Sequence, residues 1–199
     1  GAYLVGSVSF AVVTSWIFRL PDPRTYGSGN PGATNVLRTG KRAAAFCTLL
    51  GDAAKGFVAV TLARHFAFVF GFGEATVAAC ALAVFLGHLY PLYFGFKGGK
   101  GVSTALGVLL ALSPWIALVA LVVFATVAAL SAYASLASIL AAVAAVIVSP
   151  MLLGWGPDLG AVVLIATFLV WRHRANIQRL RSGTESRLNL RRRSTPPSA

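Results

Sequence analysis

Apolar runs, several of them long enough to cross a lipid bilayer, recur along almost the whole chain. The first covers Ala2–Leu20, and others cover Phe46–Ala63 and Ala75–Pro91. A membrane-crossing helix needs about 20 apolar residues, and helices satisfy their own backbone hydrogen bonds in lipid. Hydrophobic residues make up 57% of the 199 residues and charged residues only 11%, well below the charged share of soluble domains. The sequence therefore predicts an all-α, polytopic membrane protein with a bundle of helices.

The positive charges are clustered at the ends of these runs. The chain has 17 Lys and Arg against 5 Asp and Glu, a net charge of +12. One cluster lies between Arg19 and Arg42, a second includes Lys97 and Lys100, and a third begins at Arg172. Basic loops stay on the cytoplasmic side and can contact anionic lipid headgroups. No nucleic-acid partner is expected, because these residues border apolar runs instead of covering one soluble face.

The number of crossings follows from this sidedness. The loop at Lys97 and the segment from Arg172 should both be cytoplasmic, so an even number of spans must separate them. Turn-forming breaks divide the intervening chain into segments at about 103–113, 115–131, 135–153 and 159–171. This gives seven short transmembrane helices, an outside N-terminus and a cytoplasmic C-terminus. Some segments are shorter than a full crossing, so five spans is the alternative.

Two domain assignments complete the predicted organisation. Residues 1–188 are expected to form a single transmembrane domain. Residues 189–199 are rich in Arg, Ser and Pro and are expected to form a disordered basic tail.

A long polar loop, residues 24–41, follows the first apolar run. It is rich in Gly, Ser, Thr and Asn, which tolerate left-handed backbone or supply hydroxyl and amide groups. Arg38 adds a guanidinium fork that can grip phosphate. A disordered linker would carry more charge and less of this spaced Gly and Asn pattern, so a functional loop is favoured.

A second polar stretch combines glycines with two lysines. Gly98 and Gly99 separate Lys97 from Lys100, and the next apolar run begins directly after them. Freed backbone N–H groups, two ammonium groups and a helix start together favour an anion site, with phosphate as the anion. The spacing does not match a Walker loop. His88 ends the preceding apolar run and is the obvious titrating group near this site.

Other polar residues favour structural interpretations. Asp52 and Lys55 share one face of a predicted span, where a neutralising pair is slightly preferred over a role in holding substrate phosphate. Cys47 and Cys80 are predicted to be small buried hydrophobes. The side chains that end the last apolar run, Trp171, Arg172 and Arg174, are predicted to be interfacial anchors.

Three stretches resemble the bacterial membrane acyltransferases that move an acyl chain from acyl phosphate to glycerol 3-phosphate. They are Tyr26-Gly-Ser-Gly-Asn-Pro-Gly-Ala-Thr-Asn-Val-Leu-Arg38, then Gly87-His-Leu-Tyr-Pro91 with Phe96-Lys-Gly-Gly-Lys-Gly-Val102, and Asn176-Ile-Gln-Arg-Leu180 with Gly183-Thr-Glu185. The resemblance covers nearly the whole chain. It implies that the three loops meet at the cytoplasmic surface of the bacterial inner membrane and form one site.

The resemblance also implies roles for individual residues. The residues expected to be catalytic are His88, Ser28 and Lys97. Those expected to bind substrate are Ser28, Asn35, Arg38, Lys97, Gly98, Gly99, Lys100 and Asn176. Ser135 is added to them because seven spans return it to the cytoplasmic side, where the loops lie. The partners are glycerol 3-phosphate, acyl phosphate and membrane lipids, with no cofactor and no metal. Either His88 or the donor phosphate takes the proton of the glycerol hydroxyl. A transporter of phosphate or a small organic anion, with the same cationic loops lining a path, is the alternative function.

Overall fold

The computed structural model describes residues 1–188, which fold into helices joined by loops. Ten α-helices follow one another in this range, with a short 3₁₀ turn at Leu92–Phe94. The helices are α1 Ala2–Gly6, α2 Phe10–Ile17, α3 Ala33–Leu37, α4 Arg42–Phe70, α5 Glu74–Leu89, α6 Val102–Leu112, α7 Pro114–Ser131, α8 Ala134–Leu153, α9 Pro157–Arg172 and α10 Arg174–Arg181. The all-α prediction is confirmed. The tail predicted over residues 189–199 lies outside the described residues.

Four helices in the described range are long and apolar enough to cross a membrane. They are α4, α5 together with the turn that follows it, α7 and α8. Helix α6 is apolar but has only 11 residues. Helices α6 to α9 begin and end within two residues of the predicted segments. Helix α4 has 29 residues and extends well beyond the predicted Phe46–Ala63 at both ends.

The first apolar run is broken into α1 and α2 instead of forming one helix over Ala2–Leu20. Gly6 and Gly87 let α1 approach α5 backbone to backbone: a Cβ at Gly6 would overlap the Val84 carbonyl oxygen. The break leaves the carbonyl of Val8 outside the helix ladder, and the Lys55 ammonium of α4 donates to it at 2.7 Å. Contacts with α4 and α5 therefore override the local preference for one continuous helix.

Helices α4 and α6 also cross at glycines. A Cβ at Gly56 would overlap the Thr104 carbonyl oxygen, and one at Gly107 would overlap the carbonyl oxygen of Ala53. Small residues allow this close approach of helices in membranes. The resulting contact holds the start of α6 against α4, and with it residues 95–101, the glycine-rich loop that precedes α6.

The outward faces of the bundle are apolar, as expected where lipid surrounds protein. Large exposed side chains on α7 and α8 include Trp115, Leu130, Ile147 and Met151. The prediction that both cysteines are buried is wrong: Cys47 lies on an exposed face of α4, and Cys80 is only partly buried. A sequence-based burial assignment fails here because lipid, as well as protein, accepts an apolar side chain.

Arg64 lies at the end of the bundle where α4 meets the end of α6. Its guanidinium donates to the carbonyls of Ala111 at 2.6 Å and Leu112 at 3.1 Å, and lies 3.8 Å from Asp158 on α9. These acceptors explain why α4 continues past Arg64: the charge is compensated within the protein.

The glycine crossing predicts opposite effects for two alanine substitutions. Gly107→Ala should lower the stability of the folded protein by about 1–3 kcal/mol, because its methyl group would meet the Ala53 carbonyl. Gly160→Ala, in α9 with open space around it, should be neutral or stabilise by up to about 1 kcal/mol through helix propensity. Thermal unfolding of both variants in detergent checks this. Equal melting temperatures for the two would contradict the crossing.

Candidate active site

Asn35 organises the first polar loop from within. It is 2% exposed and lies on the short helix α3. Its amide nitrogen donates to the carbonyls of Pro23 at 2.7 Å and Tyr26 at 3.2 Å, and its oxygen accepts the backbone N–H of Ser28 at 3.0 Å. Gly27 has φ +59°, and a Cβ there would overlap the Asn35 amide oxygen. The loop is therefore folded around one buried amide, which fixes the position of Ser28.

Arg172, the last residue of α9, holds the glycine-rich loop in place. Its Nη2 donates to the carbonyl oxygens of Gly98 at 2.8 Å and Gly99 at 3.1 Å, and its Nε donates to Gly99 at 3.2 Å. The N–H of Gly99 donates to the His88 carbonyl at 3.2 Å. The turn is thus fixed through both its carbonyls and one of its N–H groups.

Glu185 links the third motif to the other loops. Its Oε1 accepts from Ser135 Oγ at 2.7 Å and from Asn176 Nδ2 at 2.6 Å, and its Oε2 accepts from Arg179 Nε at 2.7 Å. Burial alone would raise the pKa of Glu185, but these hydrogen bonds outweigh burial and lower it. Asn176 in turn accepts a hydrogen bond from the Lys100 ammonium at 2.6 Å. One carboxylate therefore connects α8, α10 and the glycine-rich loop.

These elements surround a cleft of about 290 Å³. All three sequence motifs contribute to its wall, which is formed by Ser28, Gly29, Asn30, Gly98, Lys100, Arg172, Arg174, Ala175, Asn176 and Arg179. Four of these residues are cations. The wall offers hydroxyl and amide groups beside them, so its chemistry suits an anion that carries several oxygens, such as a phosphate monoester.

The other predicted site residues lie around this cleft. Arg38 and Lys97 are exposed beyond its wall, whereas Asn35 and Gly99 are buried behind it. Ser135 is buried and bonded to Glu185. His88 is buried below the glycine-rich loop, where its Nδ1 lies 2.9 Å from the Lys55 ammonium.

Sequence reasoning missed the contact that Arg172 makes. It was expected to be an interfacial anchor, but its guanidinium holds the carbonyls of Gly98 and Gly99 and contributes to the cleft. The available signal was its place four residues before Asn176, at the start of the third motif. Arg174 does stack on Trp171, with 4.5 Å from its Cζ to the ring centre.

Lys100 has a lowered pKa. Its pKa falls from 10.5 to about 8, mainly through burial; the charge of Glu185 opposes this shift, and the positive charges of Arg179, Arg172 and Arg38 add to it. Positive charges therefore outnumber negative ones around Lys100 in the free protein. A bound anion would stabilise the Lys100 ammonium.

A second, apolar cavity of about 150 Å³ lies between α6, α7, α8 and α9. It begins at Val102 and Ser103, directly after the glycine-rich loop, and continues past Ala141 to Ala145 on α8. Its position next to the cationic cleft gives the site one polar and one apolar compartment.

Comparison with known proteins agrees with this geometry. A family model for glycerol-3-phosphate acyltransferase matches residues 1–183. The glycerol-3-phosphate acyltransferase of Thiobacillus denitrificans is 53% identical over 190 residues, which cover 96% of this chain and 95% of the relative. That of a Janthinobacterium species is 54% identical over 197 residues, covering 97% and 96%.

Solved structures show the same fold. The glycerol 3-phosphate form of PlsY, an integral membrane glycerol 3-phosphate acyltransferase, has a TM-score of 0.87 and 39% identity, covering 94% of this chain and 92% of that chain. Its lysophosphatidic acid form has a TM-score of 0.85 and 38% identity, covering 94% and 91%. The four cations of the cleft, the three motifs that form its wall and these matches together show that the chain belongs to the glycerol-3-phosphate acyltransferase family.

Proposed function

We propose that this chain transfers a fatty acyl group from acyl phosphate to the 1-hydroxyl of glycerol 3-phosphate. The products are lysophosphatidic acid and phosphate, and the reaction is the first acylation of bacterial phospholipid synthesis. The observation that carries the proposal is that neighbouring residues line the two compartments: Lys100 lines the cleft and Val102 the apolar cavity, as do Arg172 and Leu169 on α9. A cationic cleft suits two phosphate-bearing substrates, and an adjoining apolar cavity between membrane helices suits an acyl chain.

Acyl phosphate is suited to a site of this kind because it is a mixed anhydride, so its carbonyl is already activated. The protein then needs to align the glycerol hydroxyl with that carbonyl and stabilise charge on the oxyanion and on the departing phosphate. Lys100 and Arg172 lie in the wall of the cleft for this purpose. Ser28 and Asn176 supply hydrogen bonds there, and Arg38 and Lys97 reach the substrate phosphates from the rim.

The proposed transfer is direct, with no acyl-enzyme. The leaving phosphate carries its own oxyanions beside the reacting carbon and can accept the proton of the glycerol hydroxyl. This route is favoured over His88 as the base because the Nδ1 of His88 already contacts Lys55 and its ring is buried below the loop. Ser28 then binds substrate and is not a nucleophile, since an extra ester step would only add a barrier.

The proposed topology has seven crossings in the bacterial inner membrane, with the N-terminus outside and the cleft facing the cytoplasm. All three motifs meet at one end of the bundle, and that end carries the clustered basic residues, which supports a cytoplasmic cleft. The pair of Arg64 and Asp158 lies at the other end of α6, farther from the cleft. Helix α6 has 11 residues, too few to span the bilayer by itself. In this topology it passes through the membrane packed between the other helices, together with the glycine-rich loop before it.

The reaction is tested with purified protein in detergent, given acyl phosphate and glycerol 3-phosphate. We expect stoichiometric lysophosphatidic acid and phosphate, and no labelled acyl group on the protein when it is quenched after exposure to acyl phosphate alone. Absence of transfer, together with uptake of phosphate into vesicles that contain the protein, would indicate a transporter instead.

Arg38→Ala should lower kcat/KM for glycerol 3-phosphate roughly 10- to 150-fold, because a charge-assisted phosphate bond is worth about 1.5–3 kcal/mol. Arg38→Lys should also be impaired, since an ammonium cannot make a bidentate contact. Lys41→Ala, which removes an exposed cation from the end of the same loop, is the matched control and should stay near wild type. Steady-state kinetics that find Arg38→Ala equal to this control would remove Arg38 from the phosphate site.

The lowered pKa of Lys100 predicts an alkaline loss of substrate affinity. As pH rises through about 8 the free enzyme loses the Lys100 ammonium, so KM for glycerol 3-phosphate should rise above that pH. Arginine keeps its charge at this pH, so in Lys100→Arg the alkaline fall of kcat/KM should move to higher pH, whatever the effect of the substitution on the absolute rate. The pH profiles of kcat/KM for both proteins provide the measurement. An identical alkaline limb in the variant would assign that limb to another group.

Ala145→Leu should shift chain-length preference toward shorter donors. Its side chain would occupy the apolar cavity about 15 Å along α8 from Ser135, by the helical rise per residue. Loss of two or three methylene contacts at about 0.8 kcal/mol each predicts a roughly 10- to 60-fold change in selectivity between palmitoyl and lauroyl phosphate. Val143→Leu, on the exposed face of α8, is the control. Unchanged selectivity in Ala145→Leu would place the acyl chain elsewhere.

A further inference from the structure

Three ionisable side chains form a buried cluster that the proposed reaction does not use. They are Asp52 and Lys55 of α4 and His88 of α5, and none is more than 6% exposed. Lys55 Nζ lies 2.7 Å from Asp52 Oδ1 and 2.9 Å from His88 Nδ1. His88 Nδ1 also lies 3.4 Å from Asp52 Oδ1. The cluster lies beneath the cleft and does not contribute to its wall.

Lys55 connects three elements of the bundle. Besides contacting Asp52 and His88, its ammonium donates at 2.7 Å to the carbonyl of Val8, in the break between α1 and α2. Its ammonium therefore has hydrogen-bond contacts with Val8 and His88, while Asp52 Oδ1 balances its charge as an ion pair without accepting a hydrogen bond. Because an ammonium can only donate, we assign Nδ1 of His88 as its acceptor in this contact, which places the ring proton on Nε2.

The Nε2 edge of the ring lies against the glycine-rich loop. A Cβ at Gly99 would overlap His88 Nε2 and would lie 2.8 Å from the carbonyl oxygen of Pro31 in the first polar loop. The backbone carbonyl of His88 also accepts the N–H of Gly99. His88 thus contacts Gly99 through its ring and its backbone, where two of the three motif loops meet.

A buried ion pair is a poor way to gain stability alone, since apolar side chains of similar volume often serve equally well or better. An ion pair does give a fixed geometry, because each hydrogen bond has one favourable direction. Arg172 holds the carbonyls of Gly98 and Gly99 from one side, and the opposite side of the turn rests on His88. Without a fixed His88 the turn, and Lys100 directly after it, would lose one of two supports.

We infer that Lys55, paired with Asp52, is a positioning residue for acyl transfer: it fixes His88, and His88 fixes the Gly98–Gly99 turn that presents Lys100 to the substrate. The inference rests on the proposed function for its kinetic consequences. The structural part of the inference, that the turn depends on a buried ion pair, holds whichever reaction the site performs.

The test uses the double variant Asp52→Asn with Lys55→Met, which removes both charges together and leaves no uncompensated buried ion. Asp158→Asn removes the carboxylate near Arg64, away from the cleft, and is the matched control. For both proteins, kcat and KM for each substrate, the melting temperature and amide hydrogen exchange over residues 95–101 are measured in detergent.

We expect the double variant to lose about 10- to 100-fold in kcat/KM for glycerol 3-phosphate, the scale of a misplaced binding group. Exchange over residues 95–101 should accelerate about two- to tenfold, the worth of one ordinary hydrogen bond. The control should change neither quantity. Wild-type kinetics and exchange in a double variant with a lowered melting temperature would overturn the inference and leave the pair a purely structural one.

A second variant separates positioning from base catalysis. Asn at position 88 keeps an acceptor for the Lys55 ammonium, so His88→Asn should retain part of the activity and the pH profile of the wild type on its acidic side. Loss of the acidic limb together with a fall of about 10²–10⁴ in kcat would make His88 the general base and overturn a purely positioning role. If the wild type shows no transfer, the proposed function fails, and hydrogen exchange over residues 95–101 still decides the inference.

Discussion

The hydrogen bonds from Arg172 to the carbonyls of Gly98 and Gly99 are the contact on which the site depends. A turn at the edge of an apolar bundle leaves backbone groups without helical partners, and unsatisfied groups there are costly. A guanidinium satisfies two carbonyls at once and brings a positive charge to the same place. The contact therefore satisfies the carbonyls of the turn, joins α9 to the glycine-rich loop and adds positive charge to the cleft.

Glycine has a related role deeper in the bundle. Gly6 and Gly87 bring α1 against α5, and Gly56 and Gly107 bring α4 against α6. Both crossings lead to the same region, since α5 ends and α6 begins on either side of the glycine-rich loop. Packing in the membrane interior therefore limits how the loop can lie before any polar contact forms, and Arg172 and His88 then select one arrangement of it.

Most of the fold could be predicted from the sequence because apolar length and turn residues are local signals. Helices α6 to α9 follow them closely. The break between α1 and α2 could not, because its cause lies in Gly87 and Lys55, far along the chain. The cleft residues Ser28 and Lys100 occur in motifs with an evident anion-binding composition. From the sequence alone, Arg172 is explained equally well as an interfacial anchor or as a site residue. Its hydrogen bond to Gly99, 73 residues earlier in the chain, identifies it as a site residue.

Charge imbalance makes the cleft a suitable environment for an anion. Lys100, Arg172, Arg174 and Arg179 share one wall, while Glu185 is the carboxylate bonded to this network, and its two oxygens already accept bonds from Ser135, Asn176 and Arg179. The free site therefore favours loss of the Lys100 proton, with a pKa of about 8. A phosphate dianion reverses that preference, because an opposite charge nearby stabilises the ammonium. For the proposed reaction, linkage predicts that binding of glycerol 3-phosphate near pH 8 is accompanied by proton uptake at Lys100, so that affinity and protonation rise together as pH falls toward neutrality.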